Sequence, residues 1–349
     1  MARQAMAQEV TIMAVDSFAG KLAVVTGGGS GIGRELVRQL AAEGCSVALC
    51  DLNQDSVAVT AATAWAAAPP GVLVTGHVCD VSDEAQVLRF RDELVKQHAS
   101  DHVDLVFSNA GVFGGASFVK DSREEWERTF AVNWGGVYHC ARVFLPPLMA
   151  SGGGVLVNTS AVSGFWATAG PGAPPITAYS TSNFAIKGFS EALVEDLRSN
   201  APQVRVVVVM PGVVSTDIAA NSRRVLGLPE WEQMSDAELL ELIPEIARAV
   251  LVGMGLLAED FSADDLRRAI PHLRDELRDK GFNAAQAATI ILDGVRSGAW
   301  RILVGEEAKM LDEQVRANPD APFNYDNYAE MYGPLIAQAQ AGAPGAPES

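Results

Sequence analysis

Short apolar segments alternate with longer segments of helical character along most of the chain. The apolar segments are rich in valine and leucine and have the length of buried strands. Strands are predicted at Leu22–Thr26, Ser46–Cys50, Val72–His77, Val103–Ser108, Gly154–Asn158 and Val204–Met210, with a seventh at Trp300–Val304. Helices are predicted between them, at Gly33–Ala42, Ser56–Ala67, Ser82–His98, Arg123–Met149 and Tyr179–Ser199, and later at Ala284–Ser297.

This alternation predicts the fold class. Near-continuous apolar strands that are joined by helical crossovers indicate a parallel sheet with both faces covered. We therefore expect an α/β doubly wound parallel sheet of the Rossmann type. In such folds, ligands bind at the carboxyl ends of the strands.

The first strand runs directly into a glycine-rich turn, and a helix opens immediately after it. Gly27 allows the tight turn, Gly31 lets the backbone approach a ligand, and Gly33 lets the helix pack on the strand. The N–H groups at the start of the helix then face an anion, the pyrophosphate of a dinucleotide. Asp51, which ends the second strand, can accept hydrogen bonds from ribose hydroxyls and would repel a 2′-phosphate. Arg34, the only close guanidinium, lies within the helix, so the sequence favours NAD over NADP.

The elements divide the chain into five parts. These are an N-terminal extension (1–17), a dinucleotide-binding and catalytic core (18–216), a helical insertion (217–282), the last helix and strand of the core (283–305) and a C-terminal extension (306–349). The insertion follows the last strand of the core and carries scattered apolar residues. We expect it to lie over the catalytic crevice as a lid on an apolar substrate, with extra packing or an oligomer contact as the alternative. The Ala/Gly/Pro-rich end of the chain is expected to be disordered.

Composition narrows the function classes. Hydrophobic residues make up 48% of the 349 residues, which suffices for a large core. The net charge of −17 disfavours nucleic acid and anionic membranes as partners and suits a small-molecule substrate. The four cysteines have no paired spacing and the five histidines form no metal-ligand pattern, so we expect reduced thiols, no metal and a cytoplasmic location. No segment has the layout of a secretory signal or the length of a membrane span.

Several short motifs follow one another along the chain at the predicted strand ends and nearby helices: Thr26-Gly27-Gly28-Gly29-Ser30-Gly31-Ile32-Gly33, Asn109-Ala110-Gly111, Asn133, Tyr179 and Pro211-Gly212. On these motifs the chain resembles the short-chain dehydrogenase/reductase family over residues 18–305. The resemblance implies a nicotinamide cofactor and a homodimer or homotetramer. The cofactor-binding residues that it implies, together with those argued above, are Gly27, Ser30, Gly31, Ile32, Gly33, Asp51, Leu52, Asp80, Val81, Asn109, Ala110, Gly111, Tyr179, Asn183, Pro211, Gly212, Val214 and Thr216.

The resemblance gives several of these residues roles. Asp80 and Val81 correspond to the pair that holds the adenine ring. Asn109–Gly111 corresponds to the segment that backs the cofactor and braces the sheet. Pro211–Val214 and Thr216 correspond to the loop that fixes the nicotinamide carboxamide.

The catalytic residues depart from the family pattern. In the family, a tyrosine exchanges the proton of a substrate alcohol, and a lysine four residues later binds the ribose and lowers the pKa of the tyrosine. Tyr179 matches the tyrosine, but Asn183 stands where the lysine belongs. Asn183 can bind a ribose but carries no charge, and a free phenol has a pKa of about 10. Lys187, one turn further on, is a possible substitute, although an exposed helix lysine is the plainer interpretation.

The chain also departs from the family pattern at the catalytic serine, whereas it keeps the asparagine. Ala161 occupies the slot of the serine that positions the substrate oxygen, so Ser160 is the candidate and Ser163 stays open as the alternative. Asn133 matches the asparagine that holds a water on the proton path. A buried side chain bonded to the backbone is the alternative interpretation of Asn133.

The sequence thus predicts an NAD-dependent oxidoreductase. It would transfer a hydride between nicotinamide and a bulky apolar or aromatic secondary alcohol or ketone, with a raised pH optimum. Phe113, Phe165, Trp166 and Val213 are expected to line an apolar substrate pocket. Two alternatives are a lyase, dehydratase or isomerase of the same family that retains NAD, and a catalytically silent NAD-binding member.

Overall fold

The seven strands form one parallel sheet, as the strand pattern predicts. The computed structural model describes residues 15–115, 117–170, 173–241, 248, 252, 257–270 and 282–324. The strands lie in the order β3-β2-β1-β4-β5-β6-β7 and every neighbouring pair is parallel. They are β1 (Leu22–Thr26), β2 (Ser46–Asp51), β3 (Val74–Val78), β4 (Leu105–Ser108), β5 (Val155–Thr159), β6 (Arg205–Pro211) and β7 (Arg301–Val304).

The strand order reverses between β1 and β4, and this reversal determines where a ligand can bind. From β1 the chain moves outward to β3 and then returns to place β4 on the other side of β1. The connections after β1 and β4 therefore leave in opposite directions, and a crevice opens between them at the carboxyl ends of the strands.

Helices cover both faces of the sheet. They are α1 (Gly31–Ala42), α2 (Gln54–Ala67), α3 (Glu84–His98), α4 (Arg123–Phe130), α5 (Gly136–Ala150), α6 (Thr177–Asn200), α7 (Ile218–Val225), α8 (Asp236–Glu241), α9 (Ala284–Arg296) and α10 (Glu306–Ala317). Alternate strand residues face opposite cores: Ala23 and Val25 pack with residues of α1, α2 and α9, whereas Leu22 and Val24 pack with residues of α3, α5 and α6. Burial on both faces explains why the strands are apolar throughout.

The predicted helix Arg123–Met149 contains a π-helical turn, Ala131–Gly135, which separates α4 from α5. The side chain of Asn133 lies in this turn and bonds to the backbone of Val112. A π-turn of this kind often marks a functional position inside an α-helix.

The insertion has a small core of its own. Besides α7 and α8, residues 263–270 are helical. Its buried apolar residues are Met234, Leu239, Leu257, Ala263, Leu266 and Ala269. The division of the chain at residues 217 and 282 remains a prediction, and both the expected disordered end and most of the N-terminal extension lie outside the described residues.

The beginning of the C-terminal extension is part of the fold. Leu311 of α10 packs with Trp166, and Met310 and Phe165 lie at the edge of the same cluster. Arg301 of β7 donates hydrogen bonds to Asp312 and so ties α10 to the sheet. None of the helices in the described ranges is both long and apolar enough to cross a membrane.

Candidate active site

A cavity of about 510 Å³ lies at the carboxyl ends of the central strands. Its lining includes all of the predicted cofactor-binding residues except Gly33 and Asn183. Tyr179, Ser160, Phe113 and Val213 also line it, so the structure brings most of the predicted site together. The remaining predicted residues lie elsewhere, as described below.

The glycine-rich turn requires glycine at the predicted positions. Gly27 and Gly31 have φ angles of +66° and +51°, a backbone conformation that other residues rarely adopt. A Cβ atom on Gly27 would lie 2.8 Å from the Cα of Ala110. Gly33 lies outside the cavity lining, where a Cβ would come within 2.1 Å of the Gly27 carbonyl oxygen, so this glycine permits the close packing of α1 on the turn.

The end of β2 presents a carboxylate to the cavity. Asp51 accepts hydrogen bonds from the backbone N–H groups of Gly29 (3.0 Å) and Asn53 (3.3 Å), which fix its orientation. The guanidinium of Arg34 donates instead to the carbonyl of Gly29 and the hydroxyl of Thr60. Arg34 is therefore engaged by the turn and is not among the residues that line the cavity.

Asp80 presents a second carboxylate after β3. Burial tends to raise its pKa, but hydrogen bonds from Ser82 and Arg128 hold the pKa of this carboxyl below its ordinary value. Arg128 lies 2.6 Å from the Asp80 carboxylate. Asp80 is thus ionised at neutral pH.

Asn109 braces the first and fourth strands. Its side-chain amide donates to the Thr26 carbonyl (3.1 Å), and the backbone N–H groups of Asn109 and Ala110 donate to the Thr26 hydroxyl (3.0 and 3.1 Å). These bonds cross the crevice between β1 and β4 and hold its floor rigid. The observed contacts match the bracing role implied by the family resemblance.

Tyr179 lies in the first turn of α6 and lines the cavity beside Phe113, with the two ring centroids 4.8 Å apart. Burial raises the pKa of Tyr179 to about 12, and the Asn183 amide only partly opposes that shift. No cation in the described part of the chain contributes to this pKa. At neutral pH the phenol is therefore protonated.

Asn183 is not among the residues that line the cavity, although its amide is close enough to the Tyr179 phenol to affect its pKa. Its amide donates to the backbone carbonyl of Tyr179 (2.8 Å), one turn earlier in the same helix. Lys187 forms an ion pair with Glu191 (2.9 Å) on the outer side of the helix. Neither residue lines the cavity, and neither brings a positive charge to the Tyr179 phenol.

Ser160, Ala161 and Ser163 all line the cavity. The Ser160 hydroxyl donates to the backbone carbonyl of Asn183 (2.9 Å), which leaves only its lone pairs for a ligand. The side chain of Ser163 makes no hydrogen bond within the described ranges, although the residue is buried, with only 7% of its surface exposed. Its O–H group is thus the more available donor of the two serines.

Asn133 lies beneath the cavity and does not line it. Its side chain accepts from the Val112 N–H (2.8 Å) and donates to the Val112 carbonyl (3.0 Å) and to the Ser182 hydroxyl (3.2 Å). These bonds hold the segment after β4 against α6. The Asn133 side chain is thus a buried amide bonded to the backbone, as the alternative interpretation has it.

Two of the four predicted substrate residues lie away from the cavity. Phe165 and Trp166 pack with Leu311 and Met310 of α10. The C-terminal extension covers these two aromatic side chains. The sequence near Phe165 could not predict this contact, because α10 lies more than a hundred residues later in the chain. Val213 and Phe113 do line the cavity at its mouth, where they are 74% and 44% exposed.

Helix α7 supplies cavity residues that sequence reasoning missed. Asn221 donates to the hydroxyl of Ser30 (3.2 Å), and the hydroxyl of Ser222 accepts from the N–H of Phe113 (2.8 Å). The helix is thus attached both to the glycine-rich turn and to the segment after β4. The sequence indicated only a helical insertion, because these contacts join residues far apart in the chain.

Glu307 was also missed. Its carboxylate accepts from the N–H of Val213 (2.7 Å) and so ties α10 to the loop after β6. Burial raises the pKa of Glu307, although the bond to Val213 opposes the shift. No motif signals this contact, which spans 94 positions of the sequence.

Known proteins resemble this chain over most of its length. A family model for short chain dehydrogenase matches residues 21–226. Putative oxidoreductase SadH of Mycobacterium tuberculosis is 31% identical over 302 residues, which cover 86% of this chain and 92% of that protein. A 3alpha-hydroxysteroid dehydrogenase of Mediterraneibacter gnavus is 29% identical over 200 residues, which cover 57% of this chain and 76% of that protein. A crystal structure of a short-chain dehydrogenase/reductase from Burkholderia phymatum in complex with NAD superposes with a TM-score of 0.67 and 27% identity, covering 88% of this chain and 96% of that one.

Proposed function

The chain belongs to the short-chain dehydrogenase/reductase family of oxidoreductases, and on this premise we propose that it transfers a hydride between NAD and a bulky apolar or aromatic secondary alcohol or ketone. One observation carries the proposal: a single cavity joins the glycine-rich turn, the Asp51 carboxylate and Tyr179. This arrangement combines a dinucleotide cradle with a proton donor. Assembly as a homodimer or homotetramer and a cytoplasmic location remain predictions.

The cavity residues fit a dinucleotide without a 2′-phosphate. Gly31 and Ile32 open α1 at the cavity, where backbone N–H groups and the helix dipole favour a phosphate. Asp51 is suited to ribose hydroxyls, and the nearby Arg34 is bonded to the turn. The relative from Burkholderia phymatum was crystallised with NAD, which supports the same choice here.

Tyr179 is placed to donate a proton to the substrate oxygen. The bound dinucleotide supplies or accepts the hydride. Because the pKa of Tyr179 is raised to about 12, its O–H is intact at neutral pH and can protonate a carbonyl oxygen as the alcohol forms. Alcohol oxidation needs the phenolate, so its rate should increase as the pH rises. We therefore propose that the enzyme oxidises alcohols only slowly at neutral pH.

A serine hydroxyl would orient the substrate oxygen beside Tyr179. We propose Ser163 for this role in place of Ser160, since the Ser160 hydroxyl already donates to the Asn183 carbonyl. The choice follows from which O–H group remains available. Ala161, in the family's serine slot, has no hydroxyl to offer.

The mouth of the cavity favours an apolar substrate. Phe113, Val213 and Ile218 lie there with substantial exposed area, from three separate segments of the chain. Exposed apolar side chains at a cavity mouth gain free energy when a ligand covers them. This supports a bulky apolar or aromatic group on the carbinol carbon.

The direct test of the function is Tyr179→Phe. We expect this substitution to lower the turnover of a panel of apolar secondary alcohols and ketones by about 10²–10⁴-fold, because it removes the hydroxyl that carries the transferable proton and keeps the ring. Tyr138→Phe is the matched control, since Tyr138 lies on α5 and does not line the cavity. Calorimetry should show NAD binding in all three proteins. Full turnover by Tyr179→Phe, or a wild-type protein that does not bind NAD, would refute the proposal.

A further inference from the structure

Helix α7 places a guanidinium at the cavity. The charged side chains in the described lining are Asp51, Asp80 and Arg224. Two of these are carboxylates near the adenosine end of the proposed cofactor site, so Arg224 is the one cation that the described lining offers. The family's lysine, which would have added a second cation, is replaced by Asn183.

A chain of hydrogen bonds through Asn221 links Arg224 to the start of α1. Arg224 Nη1 donates to Asn221 Oδ1 (2.9 Å), and Asn221 Nδ2 donates to Ser30 Oγ (3.2 Å). Ser30 is the N-cap residue of α1, yet its side chain makes no capping hydrogen bond, and the first turn of α1 has no acidic residue. The N-terminus of α1 thus lacks the acceptor that a helix start normally has, and a ligand anion would supply it.

We propose that Arg224 binds the pyrophosphate of the dinucleotide from the α7 side of the cavity, together with the N-terminus of α1. This inference rests on the proposed NAD binding. A guanidinium presents its N–H groups in a fork that matches phosphate oxygens. A ligand anion between Arg224 and α1 would also link the insertion to the core, because α7 is the start of that insertion.

Arg224 still has donor N–H groups available for a ligand. Its Nε donates to Glu230 (3.1 Å), and the two side chains are 60% and 35% exposed. Exposed ion pairs of this kind contribute little, so Glu230 is a weak competitor for the guanidinium. Nη2 makes no hydrogen bond within the described residues.

The test compares ligands that do and do not contain a pyrophosphate. We would measure the affinity of wild type, Arg224→Gln and Arg224→Lys for NAD, ADP-ribose and adenosine by calorimetry or displacement titration. Arg38→Gln is the matched control, since it removes one cation from the exposed side of α1, where Arg38 pairs with Glu35. Thermal unfolding checks that every variant folds.

Arg224→Gln should weaken NAD and ADP-ribose alike, by about tenfold, and leave adenosine unchanged. Arg224→Lys should recover part of the loss, and Arg38→Gln should bind like wild type. Unchanged NAD affinity in Arg224→Gln, or an equal loss for adenosine, would overturn the assignment, since the first means no contact and the second a general loosening of α7. Failure of the wild type to bind any of the three ligands would instead refute the proposed function itself.

Discussion

At the scale of single residues, the proposed site lacks a charge that the family resemblance leads us to expect, since Asn183 stands four residues after Tyr179. The amide of Asn183 bonds to the helix backbone, and the residue does not line the cavity. Among the described residues no cation favours ionisation of the Tyr179 phenol, and burial raises its pKa to about 12. At neutral pH this tyrosine therefore carries the proton that ketone reduction needs, whereas the phenolate that alcohol oxidation needs is scarce.

Cofactor selectivity also depends on one residue. Asp51→Asn keeps an acceptor for the Gly29 N–H but removes the negative charge that would repel a 2′-phosphate. We expect kcat/KM with NADP to rise by about tenfold or more relative to NAD. Asp55→Asn, in the exposed first turn of α2, is the control and should leave the ratio unchanged. An unchanged NAD/NADP ratio in Asp51→Asn would show that another group decides the selectivity.

At the scale of elements, the contact between β3 and α3 predicts a pH-dependent stability. His98 of α3 bonds to Thr75 of β3 (2.9 Å), and burial, together with the charge of His77, lowers the pKa of His98 to about 4. The folded protein thus holds this imidazole neutral, whereas the unfolded chain protonates it near pH 6.5. Its contribution to stability is complete above pH 6.5 and is lost as the pH falls toward 4.

The measurement is urea unfolding at pH 8 and pH 5. The free energy of unfolding of the wild type should be lower at pH 5 than at pH 8. The decrease should be smaller in His98→Gln, which removes the titrating group. His102→Gln changes an exposed histidine and serves as the control. A decrease in His98→Gln as large as that of the wild type would contradict the role assigned to His98.

The strands and the turn after β1 were predictable because their causes are local. An apolar run followed by Gly27 and Gly31 predicts a strand and a positive-φ turn, and the observed β1 has the predicted bounds. Contacts between distant segments were not predictable in this way. Phe165 and Trp166 had the composition of a substrate pocket, but the apolar residues of α10 cover them.

At the scale of the whole molecule, three parts of the chain meet at one cavity. The core provides the cradle and, on α6, Tyr179; the predicted insertion contributes α7; and the C-terminal extension holds the loop after β6 through Glu307. Single hydrogen bonds attach the other two parts to the core: Asn221 of α7 donates to Ser30, and Glu307 of α10 accepts from Val213.

The most direct test of the whole account is the pH dependence of alcohol oxidation at saturating NAD. For the wild type, we expect kcat/KM to keep rising through pH 9, since an unassisted Tyr179 ionises only in alkali. In Asn183→Lys the profile should shift by about one to three pH units toward neutrality, because a cation near the phenol favours the phenolate. Asn200→Lys, at the end of the same helix, should leave the profile unchanged. A wild-type profile that is level from neutral pH upward, and that Asn183→Lys does not move, would contradict the account.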